Sequence, residues 1–217
     1  MTSWTPNRSP VAAPHVHGRS NIPQVMRTVL LALLPATATG VFLFGWPALA
    51  TVLLAIAGCV AAEAAALAIG KRPLRHTLAD GSAVVTGLIL ALCLPPWAPW
   101  WLPLLGGAFA IVVGKQVFGG LGQNVLNPAM LARVALLVSF PLEMTAWVAP
   151  QPLFSPTAPG LLDGLAITFG GGAVPDAMSA ATALATLKHG GDFAAGEALL
   201  ALALGTVPGS LGETSAL

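Results

Sequence analysis

Charged residues are scarce in this chain of 217 residues. Only 8% of its residues are charged, whereas 56% are apolar and the mean hydropathy is +0.82. A soluble domain carries roughly 25% charged residues, so a water-exposed globule is excluded and a membrane protein is predicted. The formal net charge of +1 provides no basic field for nucleic acid, which excludes that class of partner.

Cysteine and tyrosine are also scarce. Tyrosine is absent, and the two cysteines, Cys59 and Cys93, lie in apolar stretches without a Cys-x-x-Cys spacing. This pattern excludes a disulfide framework and a cysteine-bound zinc or iron–sulfur centre. It predicts two small buried apolar side chains.

Two apolar stretches are long enough to cross a bilayer as helices. Residues 25–44 and 48–69 each provide the ~20 residues that span a hydrocarbon layer of ~30 Å. Pro35 lies inside the first stretch, and a packed bundle tolerates the kink it causes. Glu63 lies inside the second. An intramembrane carboxylate is a candidate for ion or proton handling, although a carboxylate near a helix end more often reaches the headgroups.

Basic residues orient these spans. The densest basic run, residues 71–76, follows the second span, and short basic loops mark the cytoplasmic side. Residues 1–24 are polar, and the same rule puts the amino terminus inside, so they are interpreted as a cytoplasmic tail. This tail contains His15 and His17, which are spaced as a metal-binding pair, but two imidazoles in a polar tail usually bind no specific ion.

The next apolar stretches are shorter than a straight crossing needs. Residues 82–94 and 100–113 are separated by a proline-rich turn, and a tryptophan cluster at residues 97–101 predicts an aromatic belt at the outer face. A fifth span over residues 131–148 is interrupted by Pro141. Short or broken helices of this kind are typical of transporter-like folds, where they form sites within the membrane.

We predict an all-α polytopic membrane protein, a multi-helix transmembrane bundle with short or broken helices. Residues 25–149 are expected to form a membrane domain of about five spans, and residues 150–192 an outer loop. Residues 193–217 begin further membrane helices. We therefore expect this chain to lack the carboxy-terminal helices of its bundle.

Glycines and amide side chains are concentrated in residues 114–130, which end in Asn127-Pro128-Ala129-Met130. Irregular backbone at membrane depth persists only when it is buried in protein or faces a ligand or water. Asn124 and Asn127 are candidates for binding the hydrogen-bonding edge of a planar ligand, because each amide offers a donor and an acceptor. The alternative, which the pattern alone favours, is a glycine-rich turn in which Asn127 caps the following helix.

A string of small and polar residues lies in the predicted outer loop, Asp176-Ala177-Met178-Ser179-Ala180-Ala181-Thr182. By themselves, Ser179 and Thr182 are plausible caps of a short helix, with Asp176 at its positive end. No histidine or lysine is spaced to deprotonate either hydroxyl. A self-activated nucleophile is therefore not predicted.

This string, Asp-x-x-Ser-x-Ala-Thr, resembles the flavin-acceptor signature in the family of the D subunit of the Rnf electron-transport complex, which is shared with the B subunit of the sodium-translocating NADH:quinone reductase. Residues 119–130 resemble the family's glycine-rich segment with Asn-x-x-Asn-Pro-Ala. Residues 209–215, Gly-Ser-Leu-Gly-Glu-Thr-Ser, resemble its later motif. The three strings occur in the family's order, and the resemblance extends from Arg19 to Leu217.

The resemblance implies a covalent flavin. Thr182 aligns with the threonine that carries FMN through a phosphoester, and three further residues align with those read by a separate flavin transferase: Asp176, Ser179 and Ala181. It also implies a second flavin, riboflavin, in the membrane part, for which the candidate contacts are Asn124 and Asn127.

The resemblance further implies a subunit of an ion-pumping complex that relays electrons between ferredoxin and NAD. The implied location is the bacterial inner membrane, with a cytoplasmic amino terminus and a periplasmic flavin loop. The implied partners are other Rnf subunits, the flavin transferase and membrane lipid. This sequence contains neither a nicotinamide fingerprint nor iron–sulfur ligands, so partner subunits are expected to supply those centres.

Two residues depart from the family pattern, which usually has glycine at position 180 and proline at position 183, where this chain has Ala180 and Ala183. A methyl group at position 180 restricts backbone conformations that glycine permits, so slower flavinylation is expected. Two other functions remain open: a channel or secondary transporter without a redox role, and a purely structural membrane subunit. Coupling carboxylates would come from Glu63, Asp80 or Glu213, but no spacing identifies an ion site.

Overall fold

The computed structural model describes residues 21–156, 158–170 and 207–212, and this part of the chain consists of helices and turns without strands. In chain order the α-helices are α1 (Ile22–Phe44), α2 (Trp46–Ile69), α3 (Leu74–Leu78), α4 (Ser82–Cys93), α5 (Trp101–Ile111), α6 (Pro128–Ser139), α7 (Pro141–Met144) and α8 (Leu161–Gly170). A π-helical turn, Val112–Gln116, continues α5. The predicted all-α class with short helices is confirmed.

The two long helices form an antiparallel pair. By length and composition, both α1 (23 residues) and α2 (24 residues) are able to cross a membrane. Asn21 is the N-cap of α1, and its backbone N–H donates to Gln24 Oε1 at 3.1 Å, as in a capping box. Pro35 lies inside the continuous helix. Gly45 separates α1 from α2 with a φ of 76°, a left-handed conformation that glycine adopts at little cost.

One end of the bundle, which we call the lysine end, contains Lys115. Here Met26, early in α1, lies beside Gly81 at the start of α4, and a Cβ added at Gly81 would be 3.6 Å from the Met26 Cβ. Gly114, in the π-helical turn, lies against Pro128 at the start of α6. Three helices, α1, α4 and α6, therefore begin at the lysine end.

The opposite end, which we call the tryptophan end, contains Trp97. This indole is only 7% exposed, and its Nε1 donates to the Phe44 carbonyl at 3.0 Å. Trp101 packs edge-on against Phe140, with ring centroids 4.9 Å apart, and Trp100 is 43% exposed. The predicted aromatic belt is thus wrong for Trp97, which ties the end of α1 to the turn before α5.

Helices α2 and α5 run from the tryptophan end to the lysine end and lie in close contact with α4. A Cβ at Gly107 would be 2.9 Å from the Cys59 nitrogen, and a Cβ at Gly87 would be 2.7 Å from the Ile56 Cα. Both neighbours are backbone atoms, so the helices approach more closely than side chains with a Cβ permit. Cys59 is fully buried at this contact, whereas Cys93 is half-buried.

The fifth predicted span is shorter than the sequence suggests. The span predicted over residues 131–148, with an interruption at Pro141, consists of α6 (Pro128–Ser139) and α7 (Pro141–Met144). Proline has no N–H and cannot continue the hydrogen-bond ladder, so the break falls at Pro141. Residues 161–170 were predicted to belong to a loop, yet they form α8. Gly164 packs against Trp46, and the Thr168 carbonyl accepts a hydrogen bond from Trp100 N, which puts α8 at the tryptophan end.

Residues 207–212 dock on α1 and α4. The Leu211 N–H donates to the Leu94 carbonyl at 3.3 Å, and the Gly212 N–H donates to the Leu92 carbonyl at 2.8 Å. These bonds satisfy carbonyls at the end of α4 that have no partner within the helix. Leu211 also contacts the backbone of α1 at Gly40. Residues 209–212, the described part of the segment that resembles the family's later motif, therefore pack against the bundle.

Candidate functional site

Glu63 is the centre of a buried polar cluster at the lysine end. Its side chain is 0% exposed, so the prediction that it reaches the headgroups is wrong. Glu63 Oε1 forms an ion pair with Lys115 Nζ and also accepts from Gln116 Nε2 at 3.1 Å. Its second oxygen, Oε2, is buried without a hydrogen-bond partner. A buried carboxylate needs a cation, and here Lys115 supplies it.

Lys115 was not predicted as a site residue. It lies in the π-helical turn after α5 and is 2% exposed. π-helical turns inside α-helices are frequent at functional sites. The ammonium also lies 2.6 Å from Ser82 Oγ, so one lysine joins α2, α4 and the end of α5. Lys115 stands alone in a glycine-rich stretch of the sequence, and nothing in that stretch indicates its pairing with Glu63.

Ser82 and Asp80 extend the cluster toward the surface. The Ser82 hydroxyl donates to Asp80 Oδ1 at 2.6 Å, and the Ser82 backbone N–H donates to the same oxygen at 2.7 Å. Ser82 is 4% exposed, and Asp80 is half-buried. A continuous hydrogen-bonded chain therefore runs from the half-buried Asp80 through Ser82 and Lys115 to Glu63.

Two cavities border this cluster. The larger, of about 770 Å³, is lined by Asp80, Gln116 and Arg72 together with Gly119 and Gly120. Arg72 donates Nη1 to the Gly119 carbonyl at 2.9 Å, which fastens the basic turn to the glycine-rich stretch. The smaller cavity has a volume of about 270 Å³. Its polar lining residues are Ser82, Thr86, Lys115, Asn124 and Asn127.

Asn124 and Asn127 both line the smaller cavity. Asn127 Oδ1 accepts from the Ala129 N–H at 3.0 Å, so the prediction that Asn127 caps the following helix is confirmed. Asn124 Nδ2 donates to the Leu126 carbonyl at 3.1 Å. The other polar atom of each amide is not used in these bonds. The suggested contact of both residues with a planar ligand stays a prediction.

The predicted flavin acceptor lies outside the described residues. This holds for Asp176, Ser179, Ala181 and Thr182, for the departures Ala180 and Ala183, and for Glu213, His15 and His17. Helix α8, which ends at Gly170, lies at the tryptophan end, opposite the buried cluster.

Metal-binding side chains are not gathered in the described part of the chain. No group of three or more His, Cys, Asp or Glu residues comes together there. The cluster around Glu63 instead consists of two carboxylates, one hydroxyl, one amide and one ammonium. Such a set suits hydrogen bonding and hard cations rather than a transition metal.

Sequence comparisons identify relatives over almost the whole chain. Residues 10–217 match the model of the NQR2, RnfD, RnfE family. A protein from Stutzerimonas stutzeri, named as the D subunit of an ion-translocating oxidoreductase complex, is 56% identical over 211 residues, covering 92% of this chain and 58% of the relative. Proteins of the same name from Halorhodospira halophila and Rhodobacter capsulatus are 54% and 46% identical, and each alignment covers 95% of this chain. The chain spans about three fifths of these relatives, since 60% and 59% of the latter two are covered.

Proposed function

Because this chain belongs to the NQR2, RnfD, RnfE family, we propose that it is a flavin-carrying membrane subunit of an ion-translocating electron-transport complex. The observation that carries the proposal is the Asp176-to-Thr182 string, within a family match that covers residues 10–217. The relatives are named as the D subunit of an ion-translocating oxidoreductase complex. Other subunits of such a complex are accordingly the proposed partners, and the bacterial inner membrane is the proposed location.

Thr182 is the proposed attachment point of FMN. A flavin transferase would recognise Asp176, Ser179 and Ala181 and join the Thr182 oxygen to the FMN phosphate of FAD. The pyrophosphate bond breaks, AMP leaves, and the hydroxyl proton passes to a base of the transferase. The local sequence offers no base of its own, which agrees with a threonine that is modified by another enzyme.

The helix directions support a flavin on the periplasmic side. Helix α2 contains 24 residues and so extends about 36 Å at 1.5 Å per residue. Arg72 follows its lysine end, whereas Gly164 of α8 packs at its other end against Trp46. Positive residues favour the cytoplasmic side, so the segment after α8 begins on the opposite side. The directions of α1, α2, α4, α5 and α6, which alternate along the chain, agree with this topology.

The smaller cavity is the proposed site of a second flavin. Its lining side chains offer two amides, two hydroxyls and an ammonium, a donor and acceptor set that fits the polar edge of an isoalloxazine ring. Asn124 and Asn127 would bind that edge, and Lys115 would face it. A bound flavin supplies one- or two-electron transfer, while the protein orients the ring and excludes water from it.

The flavin proposal is tested by in-gel fluorescence. The full chain is co-expressed with a flavin transferase, purified in detergent and separated on a denaturing gel, where only covalent flavin remains with the protein. We expect a fluorescent band in the parent, none in Thr182→Val, and an unchanged band in the matched control Thr186→Val. A dark parent band would contradict the proposal and favour a transporter or a structural subunit.

A further inference from the structure

A third cavity, of about 350 Å³, lies at the tryptophan end, and we call it the tryptophan cavity. Its aromatic lining residues are Trp97, Trp100 and Trp101, which lie in or next to the turn before α5, and Phe169 of α8. Glu143 of α7 also lines it and adds a carboxylate. Aromatic rings together with a negative charge are typical of sites that bind organic cations.

The carboxylate of Glu143 has no partner in the described part of the chain. The side chain is half-buried, yet none of the described residues forms a hydrogen bond or an ion pair with it. The hydroxyl of Thr168, which also lines the cavity, already donates to the Gly164 carbonyl at 2.9 Å. A charge that is partly removed from water is unfavourable without a partner. The tryptophan cavity is therefore suited to a cation.

The described part of the chain provides no such cation at the tryptophan end. Its lysines and arginines lie near the lysine end: in α3 and the turns beside it, in the π-helical turn, or in the first two turns of α1 and α6. The tryptophan end instead contains a second carboxylate, Asp163 of α8. Charge complementarity therefore favours a positively charged partner from outside the chain.

The tryptophan cavity lies near the level of lipid headgroups. Gly107 of α5 packs against Cys59 of α2, and these two helices run in the same direction. Gly107 is six residues after Trp101 and Cys59 is thirteen after Trp46, so Trp101 lies about seven residues, or roughly 10 Å, inside the outer end of α2. Trp97 is tied to the end of α1. Because α2 exceeds the ~30 Å hydrocarbon layer by only a few Å, the cavity lies at its outer boundary.

The size and surroundings of the cavity favour a lipid over a folded protein as the source of the cation. Ligand cavities have volumes of about 300–1,000 Å³, and one of about 350 Å³ suits a headgroup. Exposed apolar side chains continue from its lining: Leu142, next to Glu143, is 82% exposed, and Phe169 is 53% exposed. At this depth such side chains contact acyl chains, so a headgroup in the cavity would keep its chains on apolar surface.

We propose that the tryptophan cavity binds the headgroup of phosphatidylethanolamine, with Glu143 as the counter-ion of its ammonium. A primary ammonium has three N–H donors, which bond the carboxylate, while the tryptophan rings attract its charge. Trp100, which is 43% exposed, forms part of the aromatic wall. The proposal requires that the chain lies in a membrane and is independent of the flavin.

Native mass spectrometry of the full chain in detergent tests this site. Phosphatidylethanolamine and phosphatidylglycerol with identical acyl chains are titrated into delipidated protein, and the concentrations that half-occupy the first lipid site are compared. We expect the parent to bind phosphatidylethanolamine ~10-fold more tightly, as for one hydrogen-bonded ion pair. Glu143→Gln should remove this preference, and Trp100→Leu should weaken phosphatidylethanolamine binding ~3-fold. The matched control Asp163→Asn, at an exposed position outside the cavity lining, should keep the preference.

Two results of this titration would overturn the proposal. One is equal binding of the two lipids by the parent, which would favour a basic side chain of a partner protein as the cation. The other is a preference that persists in Glu143→Gln whose near-UV circular dichroism shows a folded protein.

A change in the lipid tests the site without any change in the protein, and so decides the matter if Glu143→Gln does not fold. Phosphatidylethanolamine that is acetylated on its nitrogen keeps its chains and phosphate but has no ammonium charge. We expect the parent to bind it as weakly as phosphatidylglycerol. Binding as tight as that of unmodified phosphatidylethanolamine would mean that the ammonium is not recognised, and the proposal would fail.

The flavin gel keeps this proposal separate from the proposed function. Parent protein with covalent FMN and Thr182→Val without it should prefer phosphatidylethanolamine equally. A preference that is lost only in the flavin-carrying protein would assign the tryptophan cavity to the flavin ring and overturn the lipid site. A dark parent band with an unchanged lipid preference would remove the flavin and support the lipid site.

Discussion

Breaking the Glu63–Lys115 pair should destabilise the bundle far more than removing both charges together. Both side chains are at most 2% exposed, so a single substitution leaves an uncompensated charge away from water. Removing one partner of a buried pair costs about 3–5 kcal/mol, whereas replacing both partners by apolar residues is often close to neutral. Glu63 Oε2 already lacks a partner, which puts Lys115→Met at the upper part of that range.

A double-mutant cycle measures this difference. Lys115→Met, Glu63→Met and the double variant are unfolded by titrating a denaturing detergent into the purified protein. We expect each single variant to lose about 3–5 kcal/mol and the double variant to lie within about 2 kcal/mol of the parent. The coupling energy is then on the order of 3 kcal/mol or more.

Asp163→Asn is the matched control for this cycle. Asp163 is exposed on α8, so neutralising it should change the free energy of unfolding by less than about 0.5 kcal/mol. Additive single effects, with a double variant as unstable as their sum, would refute the argument that the two charges neutralise each other. The ion pair would then contribute little to the stability of the bundle.

Three further predictions concern packing, capping and topology. Gly107→Ala should lower the free energy of unfolding by about 1–3 kcal/mol, because the added methyl group meets the α2 backbone. The control Gly170→Ala has open space around the added methyl group and should be nearly neutral. Equal melting temperatures of the two variants would contradict the close approach of α5 to α2. Asn127→Ala should lower the free energy of unfolding by about 1 kcal/mol, because the cap of α6 is lost. Asn127→Asp should keep the cap, because its carboxylate still accepts from the Ala129 N–H. Equal losses of stability in both variants would show that the cap is unimportant. In a cysteine-free background, Ala183→Cys should react with an impermeant maleimide that is added to intact spheroplasts. Lys71→Cys should react only after the spheroplasts are lysed. The reverse labelling pattern would show that the proposed topology is inverted.

Length and hydropathy predict the two long helices well. The predicted spans 25–44 and 48–69 agree with α1 and α2 within a few residues, because a long apolar run has few alternatives to a helix. The later boundaries are less well predicted. Helix α8 lies between proline-rich and glycine-rich stretches, and its Gly164 packs against Trp46, a residue far away in the sequence.

The buried cluster around Glu63 could also be predicted only in part from the sequence. The sequence marks Glu63 as unusual, because a carboxylate inside an apolar run is rare. It does not mark Lys115, which is 52 residues further along the chain and follows an irregular turn of α5. The partner becomes visible only once α2, α4 and α5 are packed. A buried acid without a local partner is therefore a reason to search for a distant base.

The tryptophan cluster illustrates how tertiary contacts change an interpretation based on composition. Tryptophan near a span end usually lies at the membrane interface, and the exposed Trp100 agrees with this rule. Trp97 instead finds the Phe44 carbonyl inside the protein. A buried indole needs such an acceptor for its N–H, and the sequence does not show that the end of α1 provides one.

Peptide mass spectrometry tests most directly whether Thr182 carries FMN. The full chain matured with a flavin transferase is digested, and the peptide containing Thr182 is sequenced by fragmentation. We expect a mass increase of one FMN less one water on Thr182 and none on Ser179. An unmodified peptide, from protein shown to be folded and exposed to an active transferase, would mean that Thr182 is not a flavin acceptor.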